Sequence, residues 1–242
     1  LSLYLKKKFE DIINIHIQNP KISFSKFDFI IAPAHDKISG SNVINSVGAI
    51  HQFTKNKIEN EQNPDKNLKK DNLVSFIIGG KNRHYEFNFQ NILEIINYVK
   101  KFKEKYSDHN FLIISSRRTD SKIFDLLKKE LEDFAYIWDG EKNNPYTFSL
   151  KYSKYFIVTS DSTSMISECA YTGKPIYIFH LPFKRKSKRI EDFHIDFEKR
   201  NITKSLDDNY KLYEWEYETL DEAKRISGIL KKRIIEGFNE SK

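Results

Sequence analysis

Short, near-continuous runs of β-branched and aromatic residues alternate with longer stretches of helical period along this chain of 242 residues, and this alternation restricts the fold most. The runs predict strands over 12–17, 29–32, 73–78, 111–115, 135–138, 156–159 and 176–179. A strand apolar at successive positions, not at alternate ones, is covered on both faces, as in a parallel sheet. Over 91–106, Ile92, Ile95, Ile96, Val99 and Phe102 recur at i, i+3, i+4, i+7 with lysine elsewhere, which predicts an amphipathic helix. Another is expected over 120–131, with Ile123, Leu126 and Leu127 on one face and Thr119 or Asp120 as its cap. A last helix over 220–235 carries a capping-box pattern, Thr219 and Glu222 three residues on. Strands that alternate with helices give βαβ units, so the expected class is α/β with parallel sheets.

Aromatic residues at 14% and abundant isoleucine exclude a disordered chain. One cysteine leaves no internal disulfide framework and predicts a reducing, cytoplasmic setting. No apolar run approaches the ~20 residues that span a bilayer. The balance of 41 Lys+Arg against 34 Asp+Glu is mild and mostly lysine, which speaks to solubility and not to fold. A polar, proline-containing stretch over 55–72 predicts a linker. It divides the chain into the tail of one Rossmann-like domain, 1–54, and a complete second one, 73–236. Because residue 1 is a leucine opening directly into a helix and a strand, the first strands of the earlier domain are expected to lie upstream.

In α/β sheets ligands bind beyond the carboxyl ends of the strands, so the loops after strands hold the candidate site. After 73–78 come Gly79 and Gly80, where an anion can approach the backbone, with Lys81 and Arg83 supplying charge and His84 after them. A tight turn with solvated side chains is the plain alternative. After 111–115, Ser116, Arg117, Arg118 and Thr119 run into a helix and suit a phosphate or carboxylate. The densest segment follows 156–159: Ser160, Asp161, Ser162, Thr163 and Ser164, with Glu168 about two turns on. A hydroxyl-rich strand-to-helix turn offers N–H and O–H donors at the positive end of a helix dipole, although capping alone would need one of those hydroxyls. Gly173-Lys174-Pro175 predicts a left-handed cap that starts the next strand. Asp139, Gly140 and Glu141, with Asn143, Asn144, Pro145 and Tyr146, can line the same cleft, while Cys169 reads as a buried small hydrophobe. His35 with Asp36 beside it, and His84, are the acid/base candidates. The motifs of zinc hydrolases and serine esterases are missing; neither a metal nor a cofactor is called for, and nucleic acid is not an expected partner. The cluster Lys184-Arg185-Lys186-Ser187-Lys188-Arg189 reads as a solvated loop or as a peripheral contact with acidic lipid on the inner face of a membrane.

Taken in order, Phe76-Ile77-Ile78-Gly79-Gly80 with Arg83-His84-Tyr85, then Ser115-Ser116-Arg117-Arg118-Thr119, then Trp138-Asp139-Gly140 with Asn144-Pro145-Tyr146, form a series. Val158-Thr159-Ser160-Asp161-Ser162, Ser164-Met165-Ile166-Ser167-Glu168 and Gly173-Lys174-Pro175 complete it. The series resembles the mitochondrial-fission "elongated mitochondria" family. Ile17-Gln18-Asn19-Pro20 and Pro33-Ala34-His35-Asp36 with Asn42-Val43 are similar to its midsection. The resemblance implies a GT-B-like architecture of two Rossmann-type domains and a nucleotide or nucleotide-sugar as ligand. Ser162–Ser164 would then meet the pyrophosphate and Glu168 the ribose. It implies a glycosyltransferase, with a nucleoside-diphosphate-sugar epimerase or a non-catalytic adaptor as alternatives.

Overall fold

Leu73–Ile78 is buried at every position, which an isolated strand cannot achieve; it becomes the centre of a parallel sheet. The computed structural model describes residues 1–9, 11–138, 140, 141 and 143–240. It divides into two units: 1–51 with 220–242, and 52–219.

In the first unit, β1 (Ile15–Ile17), β2 (Phe29–Pro33) and β3 (Val43–Ser46) pair in parallel in the order β1-β2-β3. Phe27, Ile30, Ala32 and Val43 pack with Leu3 of α1 (Ser2–Lys8). The opposite face places Ile31 and Ile44 against Ile226 of α8 (Glu222–Glu240). The last helix, expected within the second domain, therefore packs in the first unit. Its cap also differs from the expectation. The Asp221 carboxylate accepts the Lys224 N–H at 3.1 Å, while Glu222 turns inward to the Val47 N–H at 2.7 Å.

The second unit carries six parallel strands in the order β6-β5-β4-β7-β8-β9. They are β4 (Leu73–Ile78), β5 (Asn110–Ser115), β6 (Ala135–Ile137), β7 (Ser153–Thr159), β8 (Ile176–Phe179) and β9 (Thr203–Ser205). From β4 the chain builds outward through β5 to β6, then returns to β7 on the other side of β4 and continues outward. The direction of winding reverses between β4 and β7, and a crevice opens at the carboxyl ends of strands where that happens. Helix α3 (Phe89–Lys105) buries Ile92, Ile95, Ile96, Val99 and Phe102 as its spacing predicts, with Asn88 and Asn91 as a reciprocal capping box. Helix α4 (Ser121–Leu131) is capped by Asp120. Gly173 holds the expected left-handed φ, 73°, before β8, but it is not the helix cap: the helix Thr163–Ala170 is capped by Tyr171 in helical conformation, two residues earlier.

Two stretches expected to be irregular are ordered. The 55–72 stretch contains α2 (Lys55–Glu59), capped by Thr54, and it buries Leu68 against Leu73, Leu112, Ile114 and Phe148, so it covers one face of the second sheet. The basic cluster expected as a solvated loop runs at Lys188 into α7 (Lys188–Lys199), which buries Ile190, Phe193 and Phe197, and the edge strand β9 follows. The remaining helices are α5 (Tyr146–Tyr152) and α6 (Thr163–Ala170). No helix among the described residues is long and apolar enough to cross a membrane.

Candidate functional site

Three strand ends, those of β4, β5 and β7, meet on the Asp161 carboxylate. Its side chain is fully buried, and it accepts the Gly80 N–H at 3.1 Å, the Thr159 hydroxyl at 2.6 Å and Nη2 of Arg118 at 3.1 Å. Thr159 Oγ1 in turn accepts the Gly79 N–H at 2.8 Å. From β5, Thr119 Oγ1 donates to the Gly79 carbonyl at 2.7 Å and accepts the Ser116 N–H at 3.1 Å. Ser116 Oγ accepts the Arg118 N–H at 3.2 Å. Burial pushes the Asp161 carboxyl up, against the hydrogen bonds from Thr159 and Gly80 and the Arg118 charge. A buried carboxylate is tolerable when its lone pairs are filled in this way.

The paired glycines therefore serve an approach from inside the protein. A Cβ at Gly79 would overlap both carboxylate oxygens of Asp161, and one at Gly80 would lie 2.5 Å from the Arg118 carbonyl carbon. Their N–H groups, which the sequence predicts for an external anion, go to Thr159 and Asp161.

The free donors lie one step further along, at the start of α6. Ser162 is its N-cap, with a long 3.5 Å contact from the Met165 N–H. No described group bonds the hydroxyls of Thr163 and Ser164, half-buried and exposed respectively, at the positive end of the helix dipole. The turn beneath them is fixed from both sides. Ser160, fully buried, accepts the Leu181 N–H on Oγ at 3.0 Å, and its carbonyl lies 2.9 Å from Nε2 of His194. A carbonyl only accepts, so this geometry puts a proton on Nε2 of His194.

Glu168 lies further into α6, and its Oε2 accepts the Tyr146 hydroxyl at 2.6 Å. Tyr146 starts α5, its N–H donates to Asn144 Oδ1 at 2.9 Å, and its ring lies 5.7 Å from that of Phe53. Asn144 and Glu168, both expected at the site, are thus joined through Tyr146, which the sequence places in the same cleft-lining run as Asn144 but to which it assigns no partner. The signal was present in Tyr146 following Asn144-Pro145, but the pairing across 22 residues was not. Cys169 is fully buried and its thiol is pushed well above the ordinary range, so it stays a thiol.

Burial also pushes the Glu168 carboxyl up, with the Tyr146 hydrogen bond opposing. A raised folded-state value makes ionisation cost stability. That contribution is fully present below the unfolded carboxyl value and is lost as pH rises through the raised one. A glutamine at this position would not titrate, so the melting-temperature advantage of Glu168→Gln over wild type is expected to be larger at pH 7 than near pH 4. A gap independent of pH would show that this carboxyl ionises as freely folded as unfolded.

The acid/base candidates are divided between the units. His35 and Asp36 form a single 3-10 turn after β2 in the first unit, and His84 belongs to the second. Nε2 of His84 accepts from Nε of Arg83 at 2.9 Å, which leaves the ring proton on Nδ1. Arg117 is exposed. Gly140, at φ 83°, and Glu141 are exposed as well, and Asp139 lies outside the described residues.

The mitochondrial fission ELM1 family matches residues 1–234. An uncharacterized protein of Rickettsia prowazekii (strain Madrid E) is 32% identical, with 96% of this chain and 75% of that protein covered. The mitochondrial fission protein ELM1 of Arabidopsis thaliana is 23% identical over 93% of this chain and 58% of its own length. Among solved structures, the UDP-GlcNAc 2-epimerase of Methanocaldococcus jannaschii, in complex with UDP-GlcNAc and UDP, superposes with a TM-score of 0.51 at 14% identity. It covers 86% of this chain, which spans 62% of it.

Proposed function

The chain belongs to the mitochondrial fission ELM1 family, and from that membership and the geometry of the second unit we propose that it binds a nucleotide-sugar and transfers the sugar. The observation that carries this reading is the placement of free donors. The N-terminus of α6, with Thr163 and Ser164 unengaged, opens at the carboxyl end of β7, beside the reversal of winding. A helix N-terminus at such a point is a ready anion site. The UDP-bound state of the archaeal epimerase of like fold supports the ligand class.

In this reading Ser162, Thr163 and Ser164 meet the diphosphate through backbone N–H and hydroxyl groups, and Arg117 supplies a bidentate cation. Glu168, held by Tyr146, accepts the ribose hydroxyls. Asp161, Gly79, Gly80 and Arg118 build the floor of the site and make no ligand contact of their own. As the sugar leaves, charge gathers on the diphosphate, and preorganised donors stabilise it there.

Calorimetry with a panel of nucleotide-sugars checks the proposal, which fails if none binds. Glu168→Ala is expected to weaken nucleotide binding by about tenfold to a hundredfold, the worth of a hydrogen bond to a charged group. Unchanged affinity would remove Glu168 from the site. The archaeal neighbour favours epimerisation as the second reading. Product from donor alone, with solvent deuterium at the sugar carbon, would decide for it; turnover that needs an acceptor would decide for transfer.

A further inference from the structure

The sequence presents its basic residues in three separate loops, after β4, β5 and β8. The structure joins them into one fringe along the carboxyl edge of the second sheet. Beyond β8 the chain runs back along the β4–α3 loop. The Glu86 N–H donates to the Pro182 carbonyl at 2.8 Å, and the N–H groups of Lys184 and Arg185 both donate to the His84 carbonyl, at 2.9 and 3.0 Å. Tyr85 and Phe183 form an antiparallel bridge, and their rings stack 4.5 Å apart. On the other flank Lys81 pairs with Asp120 of the β5–α4 loop at 3.1 Å. These contacts hold the 184–186 segment in place instead of leaving it a loose solvated tail.

The charges do not balance. Lys81 is matched by Asp120, Arg118 by Asp161 and Lys188 by Asp192. Among the described residues, none of Arg83, Arg117, Lys184, Arg185 and Lys186 has a carboxylate within ion-pair distance, and all of them are exposed. A nucleotide-sugar brings about one negative charge per esterified phosphate, which Arg117 and the α6 terminus already answer. A cationic surplus remains on the β8 side, centred on Lys184, Arg185 and Lys186 beside Arg83. A single-stranded nucleic acid would need exposed rings for its bases, and here Phe183 is spent on a buried Tyr85.

We infer that Lys184, Arg185 and Lys186 form a second anion subsite, adjoining the nucleotide site, for an acceptor that carries phosphate. The inference rests on the nucleotide-sugar reading and specifies the other substrate's class. Such an acceptor is either a soluble phosphorylated molecule or a lipid whose phosphate lies at a membrane surface. Fixed cations draw either toward the reacting edge, and the attraction weakens with salt.

The test replaces the cluster by charge reversal (Lys184→Glu, Arg185→Glu and Lys186→Glu together) and, as a milder control, by glutamine at the same positions. Binding of tripolyphosphate, of phosphatidylglycerol vesicles and of phosphatidylcholine vesicles is measured at low and physiological salt, with UDP alongside. Wild type should bind an anionic probe and not phosphatidylcholine, with affinity falling as salt rises. The glutamine variant should lose about tenfold and the reversal more, both with unchanged UDP affinity and melting temperature. Binding to vesicles that tripolyphosphate does not displace identifies a lipid acceptor; binding to tripolyphosphate without vesicle recruitment identifies a soluble one. Failure of wild type to bind either anionic probe, or a reversal variant with wild-type affinity for both, overturns the subsite. Failure of wild type to bind UDP or any nucleotide-sugar of the panel, with anion binding intact, would instead sink the nucleotide-sugar reading.

Discussion

Gly79→Ala is expected to destabilise the second unit by about 3 kcal/mol, the upper end of what overpacking a core position costs. The added methyl would occupy the space of both Asp161 carboxylate oxygens, and that carboxylate cannot yield cheaply. Moving it breaks its bonds to the Gly80 N–H, the Thr159 hydroxyl and Arg118 together. Asp161→Ala should cost about 2 kcal/mol. It leaves the Gly80 N–H and the Thr159 hydroxyl short of a partner, while relieving the protein of a buried charge. The two changes concern the same few cubic ångströms. In the double variant the alanine methyl at 79 enters the space vacated at 161, so the combined loss should fall short of the sum by about 1–3 kcal/mol. Denaturant unfolding of the four proteins closes the cycle. Strict additivity would mean that the glycine is needed for its backbone freedom and not to admit the carboxylate.

That interlock explains why the site was only half legible in the sequence. Its location followed from strand order and from hydroxyls crowded before a helix, both of which are local signals. The internal use of Gly79 and Gly80 did not follow, because their partners Thr159 and Asp161 lie about eighty residues away. A glycine pair that admits a ligand and one that admits a neighbouring side chain look alike in one dimension. The fold shows the same division. Strands β4 and β8, buried at every position, were readable. Strand β3, reading Val-Ile-Asn-Ser, and β9, reading Thr-Lys-Ser, were missed, since each exists through pairing in parallel with a neighbour and not through its own composition. Helix α7 was hidden by a basic run at its start, although Ile190, Phe193 and Phe197 keep helical spacing.

The pairing of Tyr146 with Glu168 bears on function in a similar way. A carboxylate on a short helix is free to turn toward solvent. One that accepts a 2.6 Å bond from a half-buried tyrosine has its orientation chosen in advance. Preorganisation of this kind lowers the cost of binding a diol, and it makes Tyr146 a positioning residue in the proposed site. Tyr146→Phe should therefore weaken nucleotide binding by less than Glu168→Ala does, and equal losses would argue that Tyr146 touches the ligand itself.

Arg225→Ala is expected to cost the first unit about 3 kcal/mol, because it strands the Glu222 carboxylate rather than because it removes a surface charge. Glu222 is only 4% exposed, and its oxygens accept Nε and Nη2 of Arg225, each at 2.7 Å, and the Val47 N–H at 2.7 Å. The second Arg225 nitrogen also reaches the Asn45 carbonyl at 2.7 Å, so one guanidinium joins the first turn of α8 to the end of β3. The helix has little else to fix its register at that end, where Ile226 sits against Ile31 and Ile44 without directional contacts. Without Arg225, the carboxylate keeps a single N–H donor in an apolar setting, and the cost of leaving it there pulls α8 outward. Amide exchange should then accelerate at Val47 and along the first turns of α8 while the second unit keeps its protection. Replacing Glu222 and Arg225 together by alanine should recover part of the loss, since no charge is left buried. A single variant as stable as wild type would show that water already reaches Glu222, and that the pair holds α8 no better than an exposed i, i+3 ion pair does.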